Sequence, residues 1–362
     1  MKVHVSKNHL ADVLGHVERI VPARSSNPGL SLVKLELAED SLIFSGSNMD
    51  MDIETRVTAD VTGEGAVAVP AQVFGQVVRA LPGDQVELSL DEKEMEIVSG
   101  PYSTKLQLVD ASQAPVINFT DDFGGELDGA DLVTALSNVR YAAATADYQA
   151  IFRGVKLELA DNHTRAVASD GFRLAYYHLD SSSGLDANLV LPARSVEELV
   201  RILDDGAARL AVGEGQLMIA TPSTRLNVKL MEGSFPDYER VIPSSFPVSV
   251  TTNAKALSEA VSRVALMADR TTNNRVDMFV KDGTMQITAE GAFGRAQEAV
   301  TVNQEGSDPE IAVAFNAKYL VDAVSPLTGQ VSISLSRETA PSVMVNPEKP
   351  GYLAMVVPLR TG

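Results

Sequence analysis

The chain has 362 residues, of which 45% are hydrophobic and 22% are charged, proportions that are typical of a soluble globular protein with more than one domain. It contains no cysteine, which excludes disulfide bonds and thiolate metal sites. The net charge of −18 argues against nucleic-acid binding, because phosphate contacts need lysine and arginine. No secretory signal precedes the first strand-like residues, and no apolar run reaches the roughly 20 residues of a membrane helix, so we expect a cytoplasmic protein that does not contact a membrane.

The first predicted element is an amphipathic helix that occurs three times. Each copy carries aliphatic residues at positions i, i+4 and i+7, which form one apolar stripe. The copies lie at 7–17, 129–139 and 254–264. Their leading leucines, Leu10, Leu132 and Leu257, are 122 and 125 residues apart.

A second helix recurs with nearly the same period. It follows Pro70, Pro192 and Asn316, and is predicted to reach Leu81, Leu203 and Val324. Two independent sets of helices with one period predict three tandem copies of one domain. The polar stretches between the copies suggest domains at 1–122, 123–246 and 247–362.

Between the helices the hydrophobic pattern changes to period two, which predicts strands. In the first copy, 35–37 and 42–44 flank Glu39-Asp40 and form a predicted hairpin. Equivalent hairpins surround Asp161-Asn162 and Asp282-Gly283. Each copy therefore holds two helix-plus-strands modules, in an α+β fold with helices on one face of antiparallel sheets.

The predicted helices are close to neutral, so the rest of the chain carries the acidic excess. If all the helices face one way, that surface repels DNA least, and a weak phosphate contact there would permit sliding. The alternative is that the charges on each helix merely balance. Tandem copies of one domain form either an open array or a closed ring.

Three stretches that occur only once carry a family resemblance. They are Val167–Ala175 with Asp-Gly-Phe-Arg-Leu, Glu232–Pro243 with Phe-Pro-Asp-Tyr, and the end Met355–Arg360. With three domains in the right order, the whole chain resembles the bacterial DNA sliding clamp, the beta subunit of DNA polymerase III holoenzyme. The resemblance implies a non-catalytic processivity factor without a cofactor. It would encircle double-stranded DNA as a head-to-tail homodimeric ring, with sheets outside and helices inside.

The resemblance also implies a pocket, between the second and third domains, for short hydrophobic peptides of the polymerase III alpha subunit, the clamp loader, other polymerases and repair proteins. The residues that it assigns to the pocket wall are Phe152, Ser169, Gly171, Phe172, Arg173, Leu174, Pro236, Arg240, Val241, Met355, Val356, Val357, Pro358, Leu359 and Arg360. Aliphatic residues and methionine suit an adaptable apolar cleft, and Arg173 and Arg240 are expected to orient the peptide. Phe172 stands where a smaller polar ring is expected, and Thr361-Gly362 extend the chain end, so both bear on peptide preference. The alternative is ordinary packing between domains.

Two further sets of residues follow from the resemblance. The candidates for DNA contact are Arg24, Gln72, Arg79, Tyr148, Gln149, Arg194 and Arg201, each of which is alternatively a solvated surface residue. The candidates for the dimer joint are Tyr102, Thr104, Leu106, Leu108, Leu266 and Met267, which fit an internal core equally well.

The other motifs in the sequence do not predict a catalytic or metal-binding site. Asp50-x-Asp52 has the spacing of a metal pair, but the alternation around it predicts one solvated strand face. The histidines lack zinc spacing, and Ser169 lacks a nucleophile motif, so we predict no metal site and no enzyme. The remaining alternative is a repetitive β scaffold that binds proteins but not DNA, which the net charge favours.

Overall fold

The computed structural model describes residues 1–146, 150–336 and 340–360. Within them the chain forms two compact units. Unit 1 comprises Met1–Val133, Ser183–Ala187 and Arg194–Leu230, and unit 2 comprises Thr134–Ser182, Asn188–Ala193 and the chain from Met231 onward. The first repeat lies in unit 1 and the third in unit 2, while the middle repeat contributes to both.

The α-helices of the described residues lie where the hydrophobic periodicity predicts them. They are α1 (Lys7–Ile20), α2 (Ala71–Ala80), α3 (Gly129–Val139), α4 (Ala193–Ile202), α5 (Ala254–Val264) and α6 (Ala317–Val324). α1 continues beyond the predicted stripe because Ile20 adds one more buried position. In the third repeat, Asn253 and Asn316 cap α5 and α6, since each side chain accepts hydrogen bonds from the first free backbone N–H groups.

The strands alternate with these helices in the predicted order. They are β1 (Lys2–Ser6), β2 (Leu32–Ala38), β3 (Ser41–Ser47), β4 (Met51–Thr58), β5 (Asp60–Thr62), β6 (Gly65–Pro70), β7 (Gln85–Leu90), β8 (Glu94–Ser99), β9 (Tyr102–Gln107), β10 (Val109–Asp110), β11 (Gly125–Asp128), β12 (Gly154–Ala160), β13 (His163–Ser169), β14 (Arg173–Leu179), β15 (Ala187–Pro192), β16 (Ala207–Gly213), β17 (Gln216–Ala220), β18 (Thr224–Lys229), β19 (Val248–Asn253), β20 (Arg275–Lys281), β21 (Thr284–Gly291), β22 (Gly294–Thr301), β23 (Asn303–Gly306), β24 (Glu310–Asn316), β25 (Gln330–Leu335), β26 (Ser342–Asn346) and β27 (Lys349–Val356).

Unit 1 contains two sheets in the described residues. One has the order β5-β1-β7-β8-β9, and the other has the order β10-β6-β2-β3-β4-β18-β17-β16-β11. The hairpin predicted around Glu39-Asp40 is confirmed as β2 and β3. β4 alternates as predicted, because Met51 and Ile53 are buried while Asp52 lies toward the surface. α1 packs against β3, β4 and α2, so its apolar stripe closes the core.

Unit 2 also contains two sheets in the described residues. One has the order β15-β12-β13-β14-β27-β26-β25-β19-β23, and the other has the order β22-β21-β20-β24. α5 packs against α6, β21 and β22, and α6 also contacts β27. The predicted α+β fold with antiparallel sheets is therefore confirmed.

Each of the two long sheets joins strands of two repeats. β4 of the first repeat pairs with β18 of the second, and β14 of the second pairs with β27 of the third. Among the described strands, β9 and β22 are terminal strands of their sheets, as are β5, β10, β11, β15, β23 and β24. A terminal strand presents backbone N–H and C=O groups that another strand can pair with. No helix of the described residues is long and apolar enough to cross a membrane.

Candidate functional site

The turn between β13 and β14, in unit 2, is fixed by its own side chains. Asp170 Oδ1 accepts hydrogen bonds from the backbone N–H groups of Phe172 (2.9 Å) and Arg173 (3.0 Å). Ser169 Oγ accepts from Gly171 N at 3.1 Å and donates to Arg173 O at 2.8 Å. Gly171 has φ of 86°, a conformation in which a Cβ would be strained. This rigid turn leaves the Phe172 side chain 56% exposed.

The carboxyl-terminal segment lies beside this turn. β27 places Met355 opposite Leu174, and Val357 N donates to Phe172 O at 2.8 Å. Further on, Leu359 N donates to Ala314 O of β24 at 2.7 Å. Beyond β27 the segment is therefore held by backbone hydrogen bonds at Val357 and Leu359, and we assign it to one wall of the candidate pocket.

The Phe-Pro-Asp-Tyr segment lies on the same face and is anchored by Tyr238. The buried Tyr238 hydroxyl donates to Glu158 Oε2 at 2.9 Å and accepts from Arg165 Nη1 at 3.0 Å. Burial raises the pKa of Tyr238, so the hydroxyl stays protonated. Desolvation also raises the pKa of Glu158, but hydrogen bonds from Lys156 and Tyr238 outweigh it and leave that pKa below its usual value. The anchored tyrosine positions the single helical turn Glu239–Val241.

The three segments share one apolar cluster. Its buried members are Val167, Leu174, Tyr238, Val343 and Met355, and Phe235, Ile242 and Phe246 pack against it. Phe152 meets Phe235 edge to face, with ring centroids 5.8 Å apart. Val241 is 50% exposed, and Pro236 is exposed as well. The structure thus brings residues of all three motifs together around one apolar cluster in unit 2, and Phe172, Pro236 and Val241 of these motifs are exposed.

The two predicted pocket arginines differ in environment. Arg173 is buried: its Nε donates to Asp170 Oδ2 at 3.0 Å, its Nη1 donates to Asp322 Oδ2 at 2.6 Å, and its guanidinium lies 4.4 Å from the Tyr319 ring centroid. Its guanidinium is paired with two carboxylates of this chain, so Arg173 stabilises the turn and does not face a peptide. Arg240 is exposed, pairs with Asp237 at 2.7 Å, and remains accessible.

Sequence reasoning missed the residues behind this wall. Glu158, Arg165, Asp322 and Tyr319 belong to none of the three motifs. The signal for Glu158 and Arg165 is the tyrosine of Phe-Pro-Asp-Tyr, because a buried phenol needs a hydrogen-bond partner, whereas Asp322 and Tyr319 contact Arg173. The partners of this tyrosine lie 73 and 80 residues away along the chain, and no local pattern indicates them.

The DNA candidates on the helices of unit 1 are partly neutralised. Arg79 makes two hydrogen bonds to the Glu18 carboxylate, at 2.5 and 3.2 Å. Gln72 Nε2 approaches Glu18 O at 3.4 Å. Arg201 lies 3.3 Å from Glu198 and 3.9 Å from Glu197. The carboxylates of Glu18, Glu197 and Glu198 thus offset the charges of Arg79 and Arg201.

Two other candidates differ from these. Arg24 and Arg194 are exposed and form no ion pair with the residues that the structure describes. Tyr148 and Gln149 lie outside the described residues, as do Thr361 and Gly362.

Among the joint candidates, Tyr102, Leu266 and Met267 are exposed, and Thr104, Leu106 and Leu108 are half-buried. Tyr102, Thr104 and Leu106 are on the terminal strand β9, and Leu108 follows it. Leu266 is 79% exposed, and with Met267 it forms a turn that packs beside β21 and β22. The sequence did not identify β22 as part of the joint, because its alternation of buried and exposed residues resembles that of any half-buried strand.

Three family models match the chain in tandem. They are the DNA polymerase III beta subunit N-terminal domain over residues 1–118, central domain over 126–237 and C-terminal domain over 239–360. The beta sliding clamp of Caulobacter vibrioides is 28% identical, over 99% of this chain and 100% of the relative. The beta sliding clamp of Bacillus subtilis is 26% identical, over 100% of both chains. The crystal structure of a sliding clamp (DNA polymerase III subunit beta) from Pseudomonas aeruginosa bound to griselimycin matches with a TM-score of 0.93 and 25% identity, over 100% of both chains.

Proposed function

Because the chain belongs to the family of DNA polymerase III beta subunits, the bacterial beta sliding clamps, we propose that it encircles duplex DNA as a homodimeric ring. In this role it is a processivity clamp that tethers the replicative polymerase and has no catalytic activity of its own. Each protomer supplies three clamp domains, at 1–122, 123–246 and 247–362, and acts in the cytoplasm. The observation that carries the ring is that β9 and β22 are terminal strands, whereas their counterparts in the other repeats are paired with each other.

The repeat makes the two open strands equivalent to strands that are already joined. β22 occupies the place in the third repeat that β4 and β14 occupy in the first two. β9 occupies the place in the first repeat that β18 and β27 occupy in the later ones. The internal joints are the pairings of β4 with β18 and of β14 with β27, so each joins a counterpart of β22 to a counterpart of β9. β22 of one protomer and β9 of another are therefore left to pair with each other. Two such joints close a head-to-tail dimer.

Both internal joints contain the same backbone hydrogen bond just beyond the paired strands. Lys229 N donates to Asp50 O at 2.9 Å in unit 1, and Val357 N donates to Phe172 O at 2.8 Å in unit 2. A bond that recurs at equivalent residues indicates that the joints share one register.

The third joint then has a defined register and an apolar flank. The equivalent bond would run from Gln107 N of one protomer to Phe293 O of its partner. Leu266 and Met267 lie beside β22 and are exposed, so they can pack against the partner as the joint forms.

The exposed apolar rim of unit 2 supports peptide binding. Phe172 and Val241 are half-exposed over a buried apolar floor, and Arg240 offers a charge at the edge. A short hydrophobic peptide that covers them gains burial without any rearrangement of the wall. We assign this surface to the polymerase III alpha subunit, the clamp loader and other polymerases and repair proteins.

Retention on circular DNA tests the clamp directly. With a clamp loader and ATP, the protein should stay on a nicked circular plasmid through gel filtration and leave when the plasmid is cut once. A protein that is monomeric in sedimentation and never stays on circular DNA would contradict the clamp. Binding of peptides without DNA would instead favour a protein-binding β scaffold, which the acidic net charge also suits.

A further inference from the structure

Since the joints are built from equivalent strands, their residues can be matched one by one. Ser41, the first residue of β3, lies opposite Thr58 on β4. Thr284, the first residue of β21, lies opposite Thr301 on β22. Thr284 follows Ser41 by 243 residues, and Thr301 follows Thr58 by the same number. Each residue of β22 therefore corresponds to the residue of β4 whose number is lower by 243.

The other side of the joint is matched in the same way. Glu94 lies opposite Gln107 on β9, and Gln216 lies opposite Lys229 on β18. Gln216 follows Glu94 by 122 residues, and Lys229 follows Gln107 by the same number. Each position of β9 therefore corresponds to the position of β18 that lies 122 residues later.

One cross-strand pair is polar in the internal joint of unit 1 and apolar in the internal joint of unit 2. In unit 1, Asp52 faces Asn227, whose Nδ2 donates to Asp52 Oδ2 at 3.2 Å. At the same position in unit 2, Leu174 faces Met355, and both are buried in the apolar cluster under the candidate pocket. A polar pair thus closes the first joint, and an apolar pair makes the floor of a pocket at the second.

At the third joint the corresponding residues are both cations. From this register we infer that Lys105 of one protomer lies directly opposite Arg295 of its partner, as a like-charged pair that weakens the joint between protomers. The inference rests on the dimer proposed above and adds the register and the charge pair. Like charges directly opposite each other on neighbouring strands are destabilising. The joint between protomers is therefore weaker than either internal joint, which is covalently tethered and well matched.

The neighbouring strands explain why the free protomer tolerates these charges. On β8, Glu94 lies 3.2 Å from Lys105, and Glu96 is its cross-strand partner. On β21, Glu290 lies opposite Arg295. A hydrogen bond to Glu94 raises the pKa of Lys105, so the lysine is charged at neutral pH. Each cation has an acidic neighbour in its own protomer, and pairing makes the two cations nearest neighbours.

Charge reversal at either residue tests the pair. Arg295→Glu or Lys105→Glu replaces repulsion by attraction at both joints of the dimer, so the dimer Kd, measured by sedimentation velocity, should fall by about tenfold. The double variant Lys105→Glu/Arg295→Glu restores a like-charged pair and should return the Kd toward the wild-type value. Added salt should tighten the wild-type dimer relative to the single variants, because it screens repulsion and attraction alike.

Lys2→Glu is the matched control, because Lys2 also pairs with a strand glutamate, on β1, three strands away from β9 in its sheet. It changes the net charge equally and should leave the dimer Kd near the wild-type value. If the dimer forms but the single variants bind no more tightly than Lys2→Glu, or if the double variant is the tightest, the inferred pair is wrong. If the wild type remains monomeric at about 100 µM, a concentration at which even a joint with a Kd in the micromolar range would pair, the proposed ring fails, and the pair fails with it.

Discussion

Phe172 and Val241 are large hydrophobic side chains that this fold holds at the surface. The turn around Gly171 fixes one of them, and the anchored Tyr238 fixes the other. Since exposed apolar area has a solvation cost that a bound partner removes, a rigid exposed rim over a buried floor is suited to peptide recognition. The residues that fix the rim are polar and buried, whereas the residues that meet the partner are apolar and exposed.

Val241→Asp should weaken peptide binding at this rim. The substitution places a charge on the apolar surface, which the peptide would have to desolvate, so the Kd for a fluorescent peptide from the polymerase III alpha subunit should rise by about tenfold or more. Fluorescence anisotropy measures it. Val116→Asp, at a valine of unit 1 that is 89% exposed, introduces the same charge and should have no effect. Equal weakening in both variants would place the peptide elsewhere.

Elements with local sequence signals were predictable, and long-range pairings were not. The helices that begin at Gly129 and Ala254 have the predicted bounds, because apolar periodicity is recorded in consecutive residues. The motifs predict the candidate pocket only through the family resemblance, and the pocket stays a prediction. The pairing of β14 with β27 and the anchoring of Tyr238 by Glu158 depend on residues far apart in the chain. The burial of Arg173 could not be predicted because its partner, Asp322, lies on α6.

Deletion of the carboxyl-terminal segment should leave the joint between protomers intact. Deletion of residues from Val357 onward removes the hydrogen bonds to Phe172 O and Ala314 O, and with them one pocket wall. We expect polymerase stimulation in a primer-extension assay to be lost, because the peptide loses that wall. The dimer should persist in sedimentation, since β9 and β22 are untouched. A shorter deletion of Thr361-Gly362 is the control and should preserve stimulation. A monomeric product of the longer deletion would show that the segment serves the joint.

Across the whole molecule, the net charge of −18 and a role in encircling DNA are compatible because the charges are unevenly placed. Arg79 pairs with Glu18 of the neighbouring helix α1, and Arg201 pairs with Glu198 of its own helix, which limits the attraction that both arginines exert on phosphate. A clamp that slides needs contacts that are weak and independent of sequence, so a nearly neutral helical surface suits it better than a basic one.

Arg24 and Arg194 are the exposed DNA candidates without an ion pair among the described residues, so they should provide most of the phosphate attraction. The double variant Arg24→Ala/Arg194→Ala should bind a short duplex several-fold more weakly. The slope of log Kd against log salt should fall by about one to two, because fewer counterions are released. Arg209→Ala/Lys229→Ala removes two exposed cations from strands and is the matched control. If the control changes the slope as much as the double variant does, the attraction comes from overall charge and not from the helical surface.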